Sequence, residues 1–269
     1  MLSAAIRKPV QNYLGALLFG LGLSTLPATA APLKAVAEYT VTIGGTQVAN
    51  VEVTLDDDGS KYSLTGNARI TGLARLVASG SARLQSSGAS TGSGLRSQRF
   101  DLLTRASGED FTVAITYAAG DVSTFKVNPP IINNIDRVAI ERKQLVGNIN
   151  DMAAAFVLKG GKLDASLCDR QLQIFTGVER FNLKLSYAKD DVATSKRTGY
   201  QGPVVLCAVR YSPISGHYTS SEVTRDLVEK ERILVWYAPL AAPGYFIPYR
   251  ALVTTESGDI SVVLTTLTQ

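Results

Sequence analysis

Alternation of apolar and polar residues constrains this chain more than any other feature. It runs through residues 37–43, 111–117, 181–187 and 260–264. Successive side chains of a β-strand point to opposite faces, so each segment predicts a strand with one face in a core and the other in water. Turn residues such as Gly44-Gly45 separate these segments about every ten residues, which predicts an antiparallel meander.

A flat sheet of so many strands would leave exposed edges, which proteins avoid by curving or closing the sheet. We therefore expect a mainly β fold, built as a strongly curved antiparallel sheet or an open β-barrel with one short helix. The helix is predicted after Asn150 as N-cap, with Gly160 and Gly161 ending it. Its residues at helical spacing are Met152, Ala155, Phe156 and Lys159.

Three other stretches lack a clear strand pattern. Residues 86–94 are rich in serine and glycine, and residues 212–230 are polar and weakly patterned. We predict a loop for the first stretch and a long hairpin loop or mobile segment for the second. A second helical turn is predicted at residues 72–78.

The amino end has the parts of a secretory signal peptide in the expected order. Arg7 and Lys8 supply positive charge, residues 14–26 are apolar, and Ala28 and Ala30 are small residues suited to a cleavage site. The apolar run is shorter than the roughly 20 residues that a permanent membrane helix needs. We predict cleavage after Ala30, export to a Gram-negative periplasm without stable membrane insertion, and one β-rich domain over residues 31–269. A buried N-terminal helix is the alternative.

The charge of the mature chain is close to neutral. Loss of Arg7 and Lys8 lowers the formal net charge from +4 to +2. Nucleic-acid binding needs a strongly basic surface, so we expect no nucleic-acid partner. A local basic patch formed by Arg137, Arg142 and Lys143 is interpreted as a solvated edge.

The chain has two cysteines, Cys168 and Cys207. An even pair in an oxidising compartment predicts a disulfide bond, whereas two buried free thiols are the alternative. The bond would close a loop of about 40 residues, which the chain-entropy model values at roughly 4 kcal/mol at most. The spacing excludes a C-x-x-C redox motif.

Residues that could support catalysis are few. His217 is the chain's one histidine, so a zinc site lacks further nitrogen ligands. The aspartates at 56–58 lack the spacing of a calcium loop and are interpreted as a β-turn. Ser90 lies in a G-x-S-x-G match without the helix that follows a nucleophile elbow. We therefore expect no catalytic residue, metal or cofactor, and favour a protein that is not an enzyme.

A cluster of aromatic residues near the carboxyl end provides candidates for ligand binding. Its members are Trp236, Tyr237, Tyr245, Phe246 and Tyr249. Aromatic side chains on a curved sheet can line an apolar cavity, although they more often fill the core.

Several segments of the mature chain form a series: residues 39–45, 51–55, 62–66, 175–183, 207–216, 233–240 and 245–250. Together they resemble the exported proteobacterial family catalogued as domain of unknown function 3108. The family's aromatic and basic motif is matched at Gly177, Arg180 and Phe181, whereas Thr176 stands where an aspartate is usual. The resemblance implies a β-rich periplasmic protein and no particular activity.

These observations lead to a functional expectation. We expect a non-enzymatic periplasmic protein that supports the cell envelope by binding an apolar ligand (lipid or lipoprotein) or an envelope partner protein. An interior filled with side chains would count against a lipid carrier. The alternative is a hydrolase acting on an envelope lipid or polymer through paired carboxylates, which a cleft with two carboxylates about 5–10 Å apart would favour.

Overall fold

The computed structural model describes residues 32–72, 74, 79–132, 135–229, 233–255 and 258–269. The strands in these ranges are β1 (Leu33–Ile43), β2 (Thr46–Asp57), β3 (Lys61–Ile70), β4 (Gly80–Thr91), β5 (Gly94–Ala106), β6 (Glu109–Ala118), β7 (Asp121–Asn128), β8 (Leu158–Lys159), β9 (Arg170–Phe175), β10 (Arg180–Ala193), β11 (Gly202–Ser215), β12 (Ile233–Pro239), β13 (Tyr245–Thr255) and β14 (Gly258–Thr268). Helix α1 spans Glu222–Glu229, and 3-10 turns cover Arg142–Gln144, Ala154–Phe156 and Ala165–Cys168.

The strands form one antiparallel sheet in the order β7-β6-β5-β4-β3-β2-β1-β14-β13-β12-β11-β10-β9, with β8 paired to β13 beside this path. The order runs outward in both directions from the β1–β14 pair, so the first and last strands lie in the middle. Strands β7 and β9 are the two edges and do not pair with each other. The predicted fold class is therefore confirmed: a mainly β protein with an antiparallel sheet that does not close into a barrel.

The alternation seen in the sequence becomes the two faces of this sheet. In β3, Tyr62 and Leu64 are buried, while Lys61 and Ser63 are exposed. The β1–β2 turn follows the expected chemistry, since Gly44 and Gly45 have φ of 55° and 80°. Two consecutive residues with positive φ suit a two-residue hairpin turn, which glycine adopts without strain.

The inner face of the sheet is filled by three clusters of buried apolar side chains. The first lies over the central strands, the second surrounds the cysteines on β9–β12, and the third lies between β5–β7 and β9. Tyr237, Phe100 and Phe175 are the largest fully buried side chains. The sheet therefore curves around an interior that is filled with packed side chains.

The prediction of a helix after Asn150 is wrong. Residues Ala154–Phe156 form a single 3-10 turn, and Val157 is extended, with φ −86° and ψ 103°. The chain then pairs with Tyr245 and Phe246 of β13 through β8. The segment lies inside the curve of the sheet, where packing on several sides and pairing to β13 outweigh a weak local helical preference.

The helix lies elsewhere, in the stretch predicted as a loop or mobile segment. Helix α1 packs against the sheet through Leu227, which contacts the cluster around the cysteines. Glu222, Arg225 and Glu229 are exposed to solvent, and Val223 is 62% exposed. A helix with one narrow apolar face is stabilised by tertiary packing more than by its own propensity, so this segment shows little pattern by itself.

The loop predicted at residues 86–94 is also wrong, because β4 extends to Thr91 and β5 begins at Gly94. The predicted helical turn at 72–78 falls largely outside the described residues. The predicted signal peptide and its cleavage after Ala30 lie entirely outside them. No helix in the part of the chain that the structure describes is long and apolar enough to cross a bilayer.

The gap between the two edge strands is spanned by residues 141–150, which we call the bridging segment. On one side, the N–H of Val122 donates to the carbonyl of Leu145 at 2.9 Å. On the other side, the N–H of Asn150 donates to the carbonyl of Gln173 in β9, also at 2.9 Å. The bridging segment thus joins β7 to β9 without forming a strand.

The predicted disulfide bond is present between Cys168 and Cys207, whose Cα atoms are 5.4 Å apart. Both residues are fully buried. Cys168 ends the 3-10 turn before β9, and Cys207 lies in the middle of β11. The bond therefore ties the edge of the sheet to the second strand inward.

Candidate functional site

A buried carboxylate, Asp151, lies in the interior at 0% exposure. The hydroxyls of Ser86 and Ser97 each donate a 2.6 Å hydrogen bond to its Oδ2. The backbone N–H groups of Ala153 and Ala154 donate to its Oδ1. Burial raises the pKa of Asp151, and these four hydrogen bonds act in the opposite direction. The carboxyl group is therefore fully partnered and removed from water.

A second buried carboxylate, Asp57, has 2% exposure. It accepts hydrogen bonds from the hydroxyls of Ser90 and Tyr245, at 2.6 and 2.9 Å. The ammonium of Lys159 donates to the same two hydroxyl oxygens, at 2.9 and 3.0 Å. The hydroxyl groups of Ser90 and Tyr245 thus link the ammonium of Lys159 to the carboxylate of Asp57 through hydrogen bonds.

The two carboxylates belong to one polar band on the inner face of the sheet. Strand register places four inward positions in a row across β2–β5: Asp57, Tyr62, Gly88 and Ser97. The hydroxyl of Tyr62 lies 2.9 Å from that of Ser86. A Cβ atom at Gly88 would lie 2.0 Å from the carbonyl oxygen of Arg96, so this position requires glycine.

The chemistry available to this band is limited by its burial. Every carboxylate oxygen named above accepts a hydrogen bond from the protein. A general acid or base must come within hydrogen-bond distance of a substrate atom, which the buried carboxyl groups of Asp57 and Asp151 do not allow in this arrangement. Ser90 is 7% exposed and lies within strand β4, without the strand-to-helix turn of a nucleophile elbow. The arrangement suits a network that holds β2–β5 to the chain segment inside the sheet.

Sequence reasoning missed this band, although a signal for it is present. Ser86, Gly88 and Ser90 recur at period two, which is the spacing of one face of a strand. These small polar residues are interpreted from the sequence as a loop because nothing close to them in the chain indicates that they are buried. Their hydrogen-bond partners, Asp57 and Asp151, are remote in the chain.

Four of the five aromatic candidates are buried in the core, and the fifth, Trp236, packs against it while partly buried. Tyr237, Tyr245, Phe246 and Tyr249 have exposures of 0 to 8% and pack in the core. Trp236 is partly buried, donates from Nε1 to Asp191 at 3.0 Å, and has the Arg250 guanidinium 5.3 Å from its ring. Core packing accounts for the burial of the first four, and ligand binding by any of the five stays a prediction.

Among the three residues matched to the family motif, Arg180 anchors the bridging segment. Arg180 is 4% exposed and donates to the carbonyl of Gln144 at 3.1 Å and to the side chain of Gln173 at 2.6 Å. Burial lowers its pKa from the usual value. Gly177 has φ of 88° in the turn between β9 and β10, and Phe181 packs against Tyr211, with ring centroids 5.3 Å apart.

The three basic residues interpreted from the sequence as a solvated edge all contact the protein itself. Arg137 donates to the carbonyls of Gly216 and Val178. Arg142 donates to the carbonyl of Val122, and Lys143 pairs with Glu141 at 2.7 Å. Arg137 and Arg142 therefore hold backbone carbonyls near the gap, whereas Lys143 is in an exposed ion pair.

Asp58 and His217, considered from the sequence as metal ligands or catalytic groups, have surroundings that suggest neither role. Asp58 accepts from the backbone N–H groups of Ser60 and Lys61, which lowers the pKa of its carboxyl. The Nδ1 atom of His217 is buried without a hydrogen-bond partner. Within the described ranges, no group of three or more His, Cys, Asp or Glu is arranged to hold a metal ion.

An apolar groove of about 320 Å³ runs beside the free edge of β7. It is lined by Phe125, Val127, Pro130, Ile131, Ala139 and Ile140, with Arg137 and Gly177 at its limits. Phe125 is 42% exposed, and its ring meets that of Phe175 edge to face at 5.0 Å. Among the described residues, the backbone of 124–128 has no hydrogen-bond partner apart from β6.

Comparisons with known proteins give a family and a structural neighbour. A family model described as "Protein of unknown function (DUF3108)" matches residues 38–265. No curated protein matches the chain. A solved structure that is similar is the beta-barrel-like protein of domain of unknown function DUF1849 from Brucella abortus, at 10% identity and a TM-score of 0.46. The similarity covers 89% of this chain and 98% of that one.

Proposed function

The chain belongs to the DUF3108 family, and we propose that it is a non-enzymatic binding protein of the periplasm. It supports the cell envelope by holding an extended, apolar segment of an envelope partner protein along β7. One observation carries the proposal: the unpaired edge of β7 runs beside an apolar groove.

The free edge of β7 offers backbone groups to an added strand. An extended peptide can join an exposed sheet edge through main-chain hydrogen bonds, while pockets for alternate side chains give specificity. Residues 124–128 leave that edge open among the described residues, and Phe125 and Ile131 present apolar surface next to it. An extended segment with apolar residues at every second position matches both features.

The interior of the sheet favours a protein partner over a lipid. Apolar side chains such as Tyr237 and Phe100 fill the space where an acyl chain would have to lie. Asp57 and Asp151 add polar groups to the same interior. Burying an acyl chain there would require displacing well-packed side chains, which proteins resist.

Two observations support the compartment. The Cys168–Cys207 disulfide suits an oxidising environment, where such bonds persist. Residues 1–30 have the charge, apolar run and small residues of a signal peptide. Both agree with a protein exported to the periplasm.

The alternative, a hydrolase with paired carboxylates, has less support. Asp57 and Asp151 both lie in the polar band, but their exposures are 2% and 0%. Their hydrogen bonds to serine and tyrosine hydroxyls would have to break before either carboxyl could act on a substrate. Binding at the surface needs no such rearrangement.

In-cell photocrosslinking tests the proposal. A photoreactive residue replacing Lys126, which is exposed on β7, should capture one envelope protein reproducibly. Phe125→Asp and Ile131→Ser should each lower the yield by about tenfold, since each removes apolar contact worth about 1–3 kcal/mol. Leu103→Asp, at an apolar position of similar exposure (37%) on β5, is the matched control and should leave the yield unchanged.

A purified segment of the captured protein should then bind the wild-type protein and not the Phe125→Asp variant. Thermal unfolding of each variant separates loss of binding from loss of fold. Equal crosslinking in all variants would refute the β7 site. Acyl chains released from gently purified protein would support the apolar-ligand version instead.

A further inference from the structure

A separate pocket of about 200 Å³ lies between the start of β5, strand β9 and the bridging segment. Its polar lining includes Arg96, Asn148, Asn150, Arg170, Gln171 and Gln173, together with two serines. Among the described residues that line it, none is acidic. The pocket therefore has two positive charges and no negative one.

Arg170 supplies one of these charges, and the protein compensates it poorly. Its Nη1 donates to the carbonyl of Lys159 at 3.2 Å, while its Nε is buried without a hydrogen-bond partner. No carboxylate pairs with Arg170 among the described residues. Burial lowers its pKa, with Tyr237 as an opposing influence. A desolvated guanidinium without a counter-charge is unfavourable, and an anion in the pocket would relieve that cost.

Arg96, near the start of β5, also lines the pocket and supplies a second guanidinium. It is exposed on β5, and its Nη1 donates to the side-chain oxygen of Asn148 at 3.2 Å. This contact joins it to the bridging segment and leaves its other donors available. The planar guanidinium fork matches the two oxygens of a carboxylate.

The rest of the lining is apolar. Ala154, Val157 and Leu158 face the pocket beside the arginines. An inorganic anion would leave this surface unused, whereas an organic acid would cover it. The volume is comparable to the cavity of about 150 Å³ that holds one benzene molecule in an engineered protein, so the ligand has only a few carbon atoms.

We propose that this pocket binds a small organic acid, with its carboxylate between Arg170 and Arg96 and its short aliphatic part against Val157 and Leu158. The site is independent of the β7 groove. It shares none of that groove's lining residues.

Butyrate is the probe, and butyramide is its uncharged counterpart of the same shape. Titration of the purified protein, followed by the NMR signals of arginine Nε–H groups and of backbone amides, should show saturable binding of butyrate. Butyramide and inorganic phosphate should bind about tenfold more weakly or not at all, because the first lacks the charge and the second the aliphatic part.

Arg170→Gln and Arg96→Gln should each weaken butyrate binding by about tenfold, since each removes a charged hydrogen bond. Arg105→Gln is the matched control, because Arg105 pairs with Asp110 on the surface away from the pocket. Arg170 also donates to the backbone, so circular dichroism must confirm that its variant folds; if it does not, Arg96→Gln decides the question.

Three results would overturn the proposal. They are shifts that do not saturate, equal binding of butyramide or phosphate, and wild-type affinity in the folded arginine variants.

Discussion

The hydroxyl of Ser86 on β4 donates a 2.6 Å hydrogen bond to the buried carboxylate of Asp151, 65 residues later in the chain. The contact fastens the wall of the sheet to the segment that runs through its interior. Ser97 on β5 makes the same contact. Asp151 is therefore the point at which two strands and the interior segment are joined.

Asp151→Ala should destabilise the fold by at least about 3 kcal/mol, because two hydroxyls and two backbone N–H groups lose their acceptor in a buried place. Asp151→Asn keeps one acceptor oxygen and can donate to the serine oxygens, so it should cost about 1–2 kcal/mol at most. Urea unfolding of both variants beside the wild type measures the difference. Equal losses in the two variants would contradict the hydrogen-bond explanation.

The same carboxyl predicts a pH dependence. Burial raises the pKa of Asp151 in the folded protein above its unfolded value, so the folded state holds its proton to higher pH. The stability that this provides is fully present below the unfolded pKa of about 3.9 and is lost as pH rises through the folded pKa. The free energy of unfolding of the wild type should therefore fall relative to Asp151→Asn from about pH 4 upward. The prediction is contradicted if the free energy of unfolding of the wild type, relative to that of Asp151→Asn, stays constant or rises with pH.

Loss of the Cys168–Cys207 bond should lower stability by roughly 2–4 kcal/mol, because the bond closes a long loop in the unfolded chain. The sequence separation of the two cysteines is 39 residues. Guanidinium unfolding of the double Cys→Ser variant, and of the wild type with a reducing agent, should give the same loss. Hydrogen exchange should accelerate mainly in β9–β11, with β2–β5 as the internal control. Uniform acceleration would assign the bond a global role instead.

Arg180→Met should destabilise the protein by about 3 kcal/mol, since it leaves buried acceptors, including the carbonyl of Gln144, without a charged donor. Its local effect should be faster hydrogen exchange in residues 141–150. Arg99→Met is the control, because Arg99 is in an exposed ion pair with Asp101, a kind that contributes about 0–1 kcal/mol. Unchanged exchange in the bridging segment would contradict the anchoring role of Arg180.

Gly177 and Gly108 form a matched pair with almost the same positive φ, 88° and 86°. A Cβ atom at Gly177 would lie 2.3 Å from Cγ1 of Val113, whereas Gly108 has open space around it. Gly108→Ala should cost only the backbone strain of about 1–2 kcal/mol, and Gly177→Ala should cost about 1–3 kcal/mol more. Thermal unfolding compares them. Equal losses would show that the turn alone requires glycine at 177.

The β class could be predicted from the sequence because its signals are local. The alternation around Tyr62 and the glycines at 44 and 45 depend on residues that are neighbours in the chain. The two cysteines could be paired because the chain has no others and the predicted compartment is oxidising.

The remaining features depend on contacts between remote segments. Met152 to Lys159 have helical spacing, yet the chain there is held by Asp151 and by pairing with β13. Helix α1 could not be predicted from its own residues because it depends on the packing of Leu227 against residues of β9–β12. The groove beside β7 depends on Ile131 and Ile140 returning to the edge after the strand ends, which no local pattern indicates.

The central position of the β1–β14 pair has a consequence for biosynthesis. Val36 lies opposite Thr268, and Thr265 donates to the carbonyl of Glu38, 227 residues away in the chain. The first strand therefore keeps one side unpaired until the last strand has been delivered, and such long-range pairing makes folding slow. Two half-sheets can form while the polypeptide is still emerging. The last strand, β14, then completes the sheet by pairing with both β1 and β13.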